Sequence, residues 1–388
     1  MEEPFIEKEH RFLKFLFFVF IVGLLVGGGY YYYTNYFSKP ERTINNILDE
    51  IEKKIEKKFI NTNKPLEING LLKLNLSLDE KQKNTMDLFN NLTLQFNGEY
   101  DPKQEIVNAD ITSKYKDDEL IRIKTYMENQ KIYFYSHDLY DKYLYIDTTN
   151  EKQKDNFTLD DSRILFTKIM KASNDSLDKD KFTKEDTIIT INEKQKDVHK
   201  YQLLLKDKEI NNLYDTIYNK LKNDSEVNNL LKKLSLNMED LKQEEYQGTL
   251  ELNFYTTNNL LQEELLRIES IYQNEETIIN TIDILDEDNF LINIKTKENE
   301  VSCKLTINNS ILNIDFKEKD KETSIGFTLN LNYQEVKEIE KIDIVNSKKI
   351  DDLTDEDIQI IDDNLAESDT LANFYNELMS IFTGNDEV

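Results

Sequence analysis

Ser324-Ile325-Gly326-Phe327-Thr328-Leu329-Asn330-Leu331-Asn332-Tyr333 alternates with a period of two. Ile325, Phe327, Leu329, Leu331 and Tyr333 share one parity, while Thr328, Asn330 and Asn332 share the other. A strand puts successive side chains on opposite faces, so this run predicts one buried face and one wet face. Working back to Gly248, similar runs occupy 249–257, 262–272, 277–285, 290–297, 301–308, 311–318 and 323–333, recurring about every 11 residues. Polar turns such as Asp286-Glu287-Asp288-Asn289 and Asn308-Asn309-Ser310 separate them. Short turns between alternating runs predict an antiparallel meander. The 262–272 run is ambiguous, since Leu265, Leu266 and Ile268 also suit a helix.

The preceding half repeats the pattern. Leu66, Ile68, Leu72, Leu74, Leu76 and Leu78 share one parity, as do Leu92, Leu94, Phe96 and Tyr100. Further runs lie near 105–115, 119–128, 131–136 and 142–148, then at 186–193 and 198–206. Between these sets Thr158 and Asp161 form a capping box that opens a helix from Leu159 to Ser176. Ile210, Leu213, Tyr214, Ile217 and Leu221 make one helical stripe, and Val227, Leu230, Leu231 and Leu234 the next. Thr354 and Asp357 form another capping box, followed by a short helix through Leu365. A last helix carries Leu371, Phe374, Tyr375, Leu378, Ile381 and Phe382 on a stripe too wide to leave in water. Two strand-rich sections, 66–206 and 246–345, each precede helices, which sets a sub-boundary near 240–247. No residue-level repeat relates them.

Residues Phe15 to Ser38 carry no charged side chain. The most apolar part, Phe15 to Tyr33, would span roughly 28 Å as a helix, close to the hydrocarbon thickness of a bilayer. Tyr30, Tyr31, Tyr32, Tyr33 and Tyr36 gather at its far end, where amphipathic rings favour the headgroup level. No clear small-residue cleavage site precedes the tyrosines and no cysteine stands just after the apolar stretch, so a signal-anchor is expected rather than a cleaved peptide or a lipoprotein. Lys8, Arg11 and Lys14 on the near side against Lys39 and Arg42 on the far side give a small positive-inside bias. The expected organisation is a cytoplasmic tail at 1–14, a transmembrane segment at 15–37 and an extracytoplasmic domain at 38–388. Just past the membrane, Ile44, Ile47, Leu48, Ile51, Ile55 and Phe59 form a buried helical stripe, bracketed at its start by Ser38, Pro40 and Glu41.

Composition narrows the partners. The formal charge is −27, from 76 acidic against 49 basic residues. That field repels nucleic acid and anionic lipid, both of which need phosphate-neutralising cations. With 38% hydrophobic residues the chain can still bury a core. A single cysteine excludes an intrachain disulfide.

Chemistry is sparse. His10, His137 and His199 are far apart in sequence, and no Cys-x-x-Cys or His-Glu-x-x-His occurs. Cys303 shares its parity with Val301, Leu305 and Ile307, as a small hydrophobe rather than a nucleophile. Asp286–Asp288, and Asp351-Asp352 with Asp355-Glu356-Asp357, lack the Gly turn of a calcium loop and read as solvated turns and helix N-termini. No catalytic, cofactor-binding or metal residue emerges, and a non-enzymatic protein is expected. Tryptophan is absent, but 21 tyrosines could supply aromatic platforms.

An export segment, a helix, a long meander and amphipathic helices lying against it resemble the LolA/LppX-type lipoprotein carriers. The resemblance is one of layout over residues 41–383 and transfers no site residue. It implies a half-barrel sheet wrapped around helices, with an apolar cavity for acyl chains. The chain departs from that family in lacking a lipidation cysteine and in staying tethered. The fold expected is α+β: an N-terminal transmembrane helix, then a large curved antiparallel β-meander sheet packed against amphipathic helices. The function expected is binding or scaffolding in a bacterial cell envelope, toward an envelope protein or wall component. The alternative is a lipid or other apolar ligand in the half-barrel.

Overall fold

A computed structural model describes residues 40, 43–45, 47–48, 64–78, 82–147, 159–234, 236–242, 245–258, 263–308, 310–320, 323–339, 341–342, 344 and 346–383. The tail and the 15–37 tract lie outside the described residues, as do Ile51, Ile55, Phe59 and the Thr158 cap. Among the described residues no helix is long and apolar enough to cross a membrane.

In chain order the elements are β1 (Leu66–Ser77), α1 (Lys83–Asn90), β2 (Leu92–Asp101), β3 (Ile106–Tyr115), β4 (Asp118–Glu128), β5 (Lys131–Ser136), β6 (Tyr140–Asp147) and α2 (Leu159–Asn174). There follow β7 (Thr183–Ile191), β8 (Lys194–Lys206), α3 (Asp207–Lys222), α4 (Ser225–Lys233), β9 (Thr249–Thr257), β10 (Leu265–Gln273), β11 (Thr277–Ile284) and β12 (Asn289–Lys295). The chain closes with β13 (Glu300–Ile307), β14 (Ile311–Lys319), β15 (Ser324–Glu335), β16 (Ser347–Lys349), α5 (Asp355–Glu367) and α6 (Asp369–Thr383). This is the expected α+β architecture, dominated by antiparallel strands. It divides into two compact units: Met1–Phe59 with Asp155–Leu305, and Ile60–Lys154 with Thr306–Val388. Residues 240–247 fall inside the first unit.

In the first unit the strands run in the order β7-β8-β9-β10-β11-β12-β13, a meander in which sequence neighbours are sheet neighbours. Its core can be read across the register. Tyr201 faces Phe254, Phe254 faces Ile268 and Ile268 faces Ile282, and all four are at most 3% exposed. Helix α3 packs on β8 and β9, with α2 and α4 against it. Each such side chain removed from water contributes about 1.5–3 kcal/mol. The opposite face of the same rows carries Arg267 and Asp283, joined in a fork at 2.5 and 2.9 Å, with a further guanidinium bond to the Thr190 carbonyl at 2.9 Å. Before β7, Thr43, Ile44, Ile47 and Leu48 are helical and buried, and the Asn45 side chain accepts a hydrogen bond from Lys179 at 2.6 Å.

In the second unit the order is β16-β6-β5-β4-β3-β2-β1-β15-β14. The twelve residues of β1 pair antiparallel with β15 from Leu66↔Glu335 to Ser77↔Ser324. Gly70 lies opposite both Phe96 and Leu331, and a Cβ built there would sit 2.1 Å from the Phe96 ring. The ring therefore occupies the space of the missing side chain. At one end of the sheet Leu88, Tyr115 and Leu120 form a core closed by Leu371, Phe374 and Leu378 of α6, and the Tyr115 and Phe374 rings meet edge-on at 5.4 Å.

Asp357 ties α5 to the sheet. Its carboxylate accepts hydrogen bonds from Tyr140 of β6, Lys348 of β16, and the backbone and side chain of Thr354. The Thr354–Asp357 capping box read from sequence thus doubles as a docking point. The Lys348 ammonium, then the Thr354 and Tyr140 hydroxyls, hold this carboxyl far below the ordinary aspartate value.

Turns follow from the shortage of glycine. Lys116-Asp117, Asn129-Gln130 and Asn192-Glu193 all have positive φ at both positions, the two-residue loops whose twist matches a hairpin. The ambiguous 262–272 run is strand β10. A register shift between Leu265 and Arg267 buries both Leu265 and Leu266, which broke the alternation and imitated a helix. Two elements were not anticipated. Helix α1 buries only Leu88, too little for a visible stripe. Strand β16 is three residues long and pairs parallel with β6, a contact set by tertiary structure.

Two outcomes follow. Gly70→Ala should lower the unfolding free energy by about 1–3 kcal/mol in urea titrations, and Phe96→Leu in the same chain should restore part of it. Asp357→Asn should lower the urea midpoint at pH 7. A depressed carboxyl stabilises above its unfolded value of about 3.9 and loses that contribution as pH falls, so the gap to wild type should close below about pH 4.

Candidate functional site

The residues singled out in the sequence are not brought together. His137 is exposed, with the Tyr135 hydroxyl 3.4 Å from its Nδ1. His199 is buried, its Nδ1 2.6 Å from Asp186 and its Nε2 3.8 Å from Glu263. Cys303 is half-buried, less enclosed than the parity of its strand implied. The Asp286 carboxylate is turned inward on its own loop, accepting from the backbone of Asp288 and Asn289 at 3.0 Å each. Among the described residues no group of three or more His, Cys, Asp or Glu side chains is placed to hold a metal ion. His10 lies outside them.

The densest polar network of the first unit centres on Glu263. Its carboxylate accepts from Tyr201 at 2.7 Å, Thr256 at 2.9 Å and Lys184 at 3.0 Å. Burial, then the Glu263 charge, pushes the Tyr201 phenol well above its ordinary value. Every partner here is inside the protein, as in a network that fixes strand ends rather than one that takes a ligand. A cavity of about 180 Å³ between Leu203, Leu205 and α3 is bridged by Lys181, which pairs with Glu209 at 2.8 Å and Asp178 at 3.7 Å. It is smaller than the roughly 300 Å³ at which ligand sites begin.

The second unit offers more room. A cleft of about 510 Å³ lies over the polar face of β1 to β4, lined by Glu67, Asn69, Asn97, Glu99, Asn108, Asp110, Lys124, Tyr143 and Ile342. Strand pairing explains why these side chains converge. Reading across the sheet, Asn332, Asn69, Asn97, Asp110, Lys124 and Tyr135 are successive register partners. Two residues along, Gln334, Glu67, Glu99, Asn108, Tyr126, Tyr133 and Tyr145 form a second row. Members of a row are about 4.8 Å apart, so the rows make a polar band perpendicular to the strands, the first row running on to Lys124 and the second ending at Asn108, beyond which Tyr126 is buried against Ile106 and Ile339.

The band changes character along its length. At the β1–β3 end it is amide and acid. Glu67 is held below the usual carboxylate range by the amides of Gln334 and then Asn69. Asp110 is held low by Arg122, which grips it through two guanidinium hydrogen bonds, one of 2.8 Å. Among the described residues no hydrogen bond occupies the side chains of Asn97, Glu99 or Asn108, and Asn97 is exposed. At the β5–β6 end the band is aromatic. Tyr135 and Tyr143 meet at 4.9 Å and Tyr133 and Tyr145 at 5.6 Å. Beside them Ile339 packs on Ile106 and Tyr126, with Val336, Ile342 and Ile344 adding a low apolar wall. Burial, then Glu128, raises the Tyr126 phenol to about 12, so it stays a hydrogen-bond donor at neutral pH.

Chemically the cleft presents amides that donate and accept, carboxylates that accept, one ammonium, and tyrosine faces. A sign of the cleft is present in the sequence, on the parity opposite the apolar one. In β2 and β3 the residues off the apolar parity are Gln95, Asn97 and Glu99, and Asn108, Asp110 and Thr112. Which of them align across strands depends on register, which a single run does not reveal. Compared with known proteins, the chain matches no family model and no curated protein.

Proposed function

We propose that the chain is a non-enzymatic binding module of a cell envelope, tethered by residues 15–37 with its amino terminus cytoplasmic, whose second unit recognises a polar component of that envelope. The supporting observation is the cleft of about 510 Å³ over the Asn69–Asn97–Asp110–Lys124 row. Its volume falls within the range of ligand sites, and its polar groups converge from four strands of one rigid sheet. Carboxylates outnumber ammonium groups in the lining, and the whole chain is strongly acidic, so an uncharged or cationic ligand is favoured over a polyanion. The uncharged tract from Phe15 to Ser38 supports the tether.

A second reading rests on the opposite face of the same strands. Leu72, Leu74, Phe96, Leu329 and Leu331 are half-buried there, and Leu94 and Ile325 are 37% and 56% exposed. A face that apolar and that incompletely covered suits an acyl chain, as the LolA/LppX-like layout would have it.

The full chain should stay with membranes through alkaline carbonate washing, and deletion of residues 15–37 should release it. It should also co-sediment with isolated insoluble envelope material, and Asn97→Ala with Asn108→Ala should weaken that retention several-fold. A chain that leaves the membrane in carbonate, or retention indifferent to the two substitutions, contradicts the proposal. For the second reading, organic extraction of the purified chain followed by mass spectrometry should yield stoichiometric lipid; a lipid-free extract removes it.

A further inference from the structure

Resting on the proposal that the cleft is a binding site, we infer that its ligand is a linear glycan, uncharged or amine-bearing, lying perpendicular to the strands along the polar band. The first argument is spacing. Over β1 to β3 the band offers one polar side chain per strand in each of two parallel rows, and on β4 the exposed Lys124 continues the first row, at the strand interval of about 4.8 Å. Successive pyranose rings in an extended glycan repeat at nearly that interval, so each sugar would meet one side chain of the first row and, over β1 to β3, one of the second as well. An extended peptide laid the same way presents like-facing side chains every ~6.8 Å and falls out of step within a few strands.

The second argument is chemistry. Amide and carboxylate groups can each bind a hydroxyl pair, accepting from one and, in the amides, donating to the other. Asn97 and Asn108 are diagonal neighbours in adjacent rows and have no internal partner among the described residues. Glu67 and Asp110 are held ionised and in place by Gln334, Asn69 and Arg122, so they are fixed acceptors and not mobile charges. The third argument is the end wall. Tyr143, its ring tilted against that of Tyr135 with centroids 4.9 Å apart, gives the row an aromatic terminus on which the C–H face of a sugar can rest. The charge balance sets sign: with Asp110 paired to Arg122, Glu67 and Glu99 against Lys124 still leave the cleft acidic, which disfavours uronate or phosphate-bearing polymers and favours neutral or amino sugars.

The test uses the full-length chain in detergent micelles, titrated calorimetrically with cello-oligosaccharides, chito-oligosaccharides, partially deacetylated chitosan oligomers, oligogalacturonates and an uncharged extended hexapeptide. Affinity for a neutral or amine-bearing series should rise from dimer to hexamer, as each added sugar reaches another strand. Oligogalacturonates and the peptide should not bind. Asn97→Ala with Asn108→Ala should weaken hexamer binding about tenfold. Tyr143→Ala should shorten the length dependence by roughly one unit. Unchanged circular dichroism and melting of the variants exclude misfolding as the cause, and Asn97→Gln, which keeps the amide, should rescue part of the affinity. Length-independent binding, preference for oligogalacturonate, binding of the peptide, or indifference to the substitutions overturns the inference. If no oligosaccharide binds while the substitutions still release the chain from envelope material, the glycan assignment fails and the binding cleft stands. If neither is affected, both fail.

Discussion

The twelve-residue antiparallel ladder between Leu66–Ser77 and Ser324–Glu335 is the contact on which the second unit depends. It joins two stretches of chain with the whole of β7 to β13 between them. Closing so long a loop costs entropy, and the ladder offsets it with backbone hydrogen bonds plus leucine-on-leucine pairs such as Leu72 with Leu329. The geometry of the cleft descends from this pairing. Glu67 and Asn69 are set against Glu99 and Asn97 on one side only because β1 is held against β15 on the other. A slip of one residue in β1 would send its amide and carboxylate to the apolar face and its leucines to the wet one. Gly70 and Phe96 oppose such a slip, since the ring fits only where the side chain is missing.

The sheet of the second unit is two-faced in a way that separates two ligand chemistries. Its polar face carries fixed carboxylates, unengaged amides and a tyrosine end wall. Its apolar face is closed by α1 and α6 at one end and left half-buried elsewhere. The first unit is built differently. Rows such as Tyr201–Phe254–Ile268–Ile282 are dry, while Tyr201, Thr256 and Lys184 bind Glu263 and Arg267 binds Asp283. Networks whose members bind one another in this way specify a structure rather than await a partner, and among the described residues Asn253 and Asn280 each keep a buried amide oxygen that no hydrogen bond occupies.

Much of the architecture was legible in the residues, because a period of two is a local property. The strands from Gly248 onward, the capping box at Thr354 and the amphipathic stripes of α3 and α4 all declare themselves within a short window. Features that depend on distant contacts did not. Helix α1 has one buried side chain, β16 exists because β6 is beside it, and the bulge in β10 disguises a strand as a helix. The division into two units, each assembled from separate stretches, is likewise invisible to a reading that proceeds along the chain. The cleft belongs to the same class. Asn97 and Asp110 are unremarkable in sequence and become a site only when register lays them side by side. His137, His199 and Cys303, conspicuous by type, are dispersed.

Hydrogen–deuterium exchange on the full chain, with and without soluble fragments of the envelope polymer it is proposed to hold, tests the central claim most directly. Ligand should slow exchange in β1 to β4 and in the 336–344 segment beside them, leaving β8 to β11 unchanged. Protection confined to α6 and the apolar face, or to the first unit, or no protection at saturating ligand, would contradict the assignment of the polar face as the binding surface.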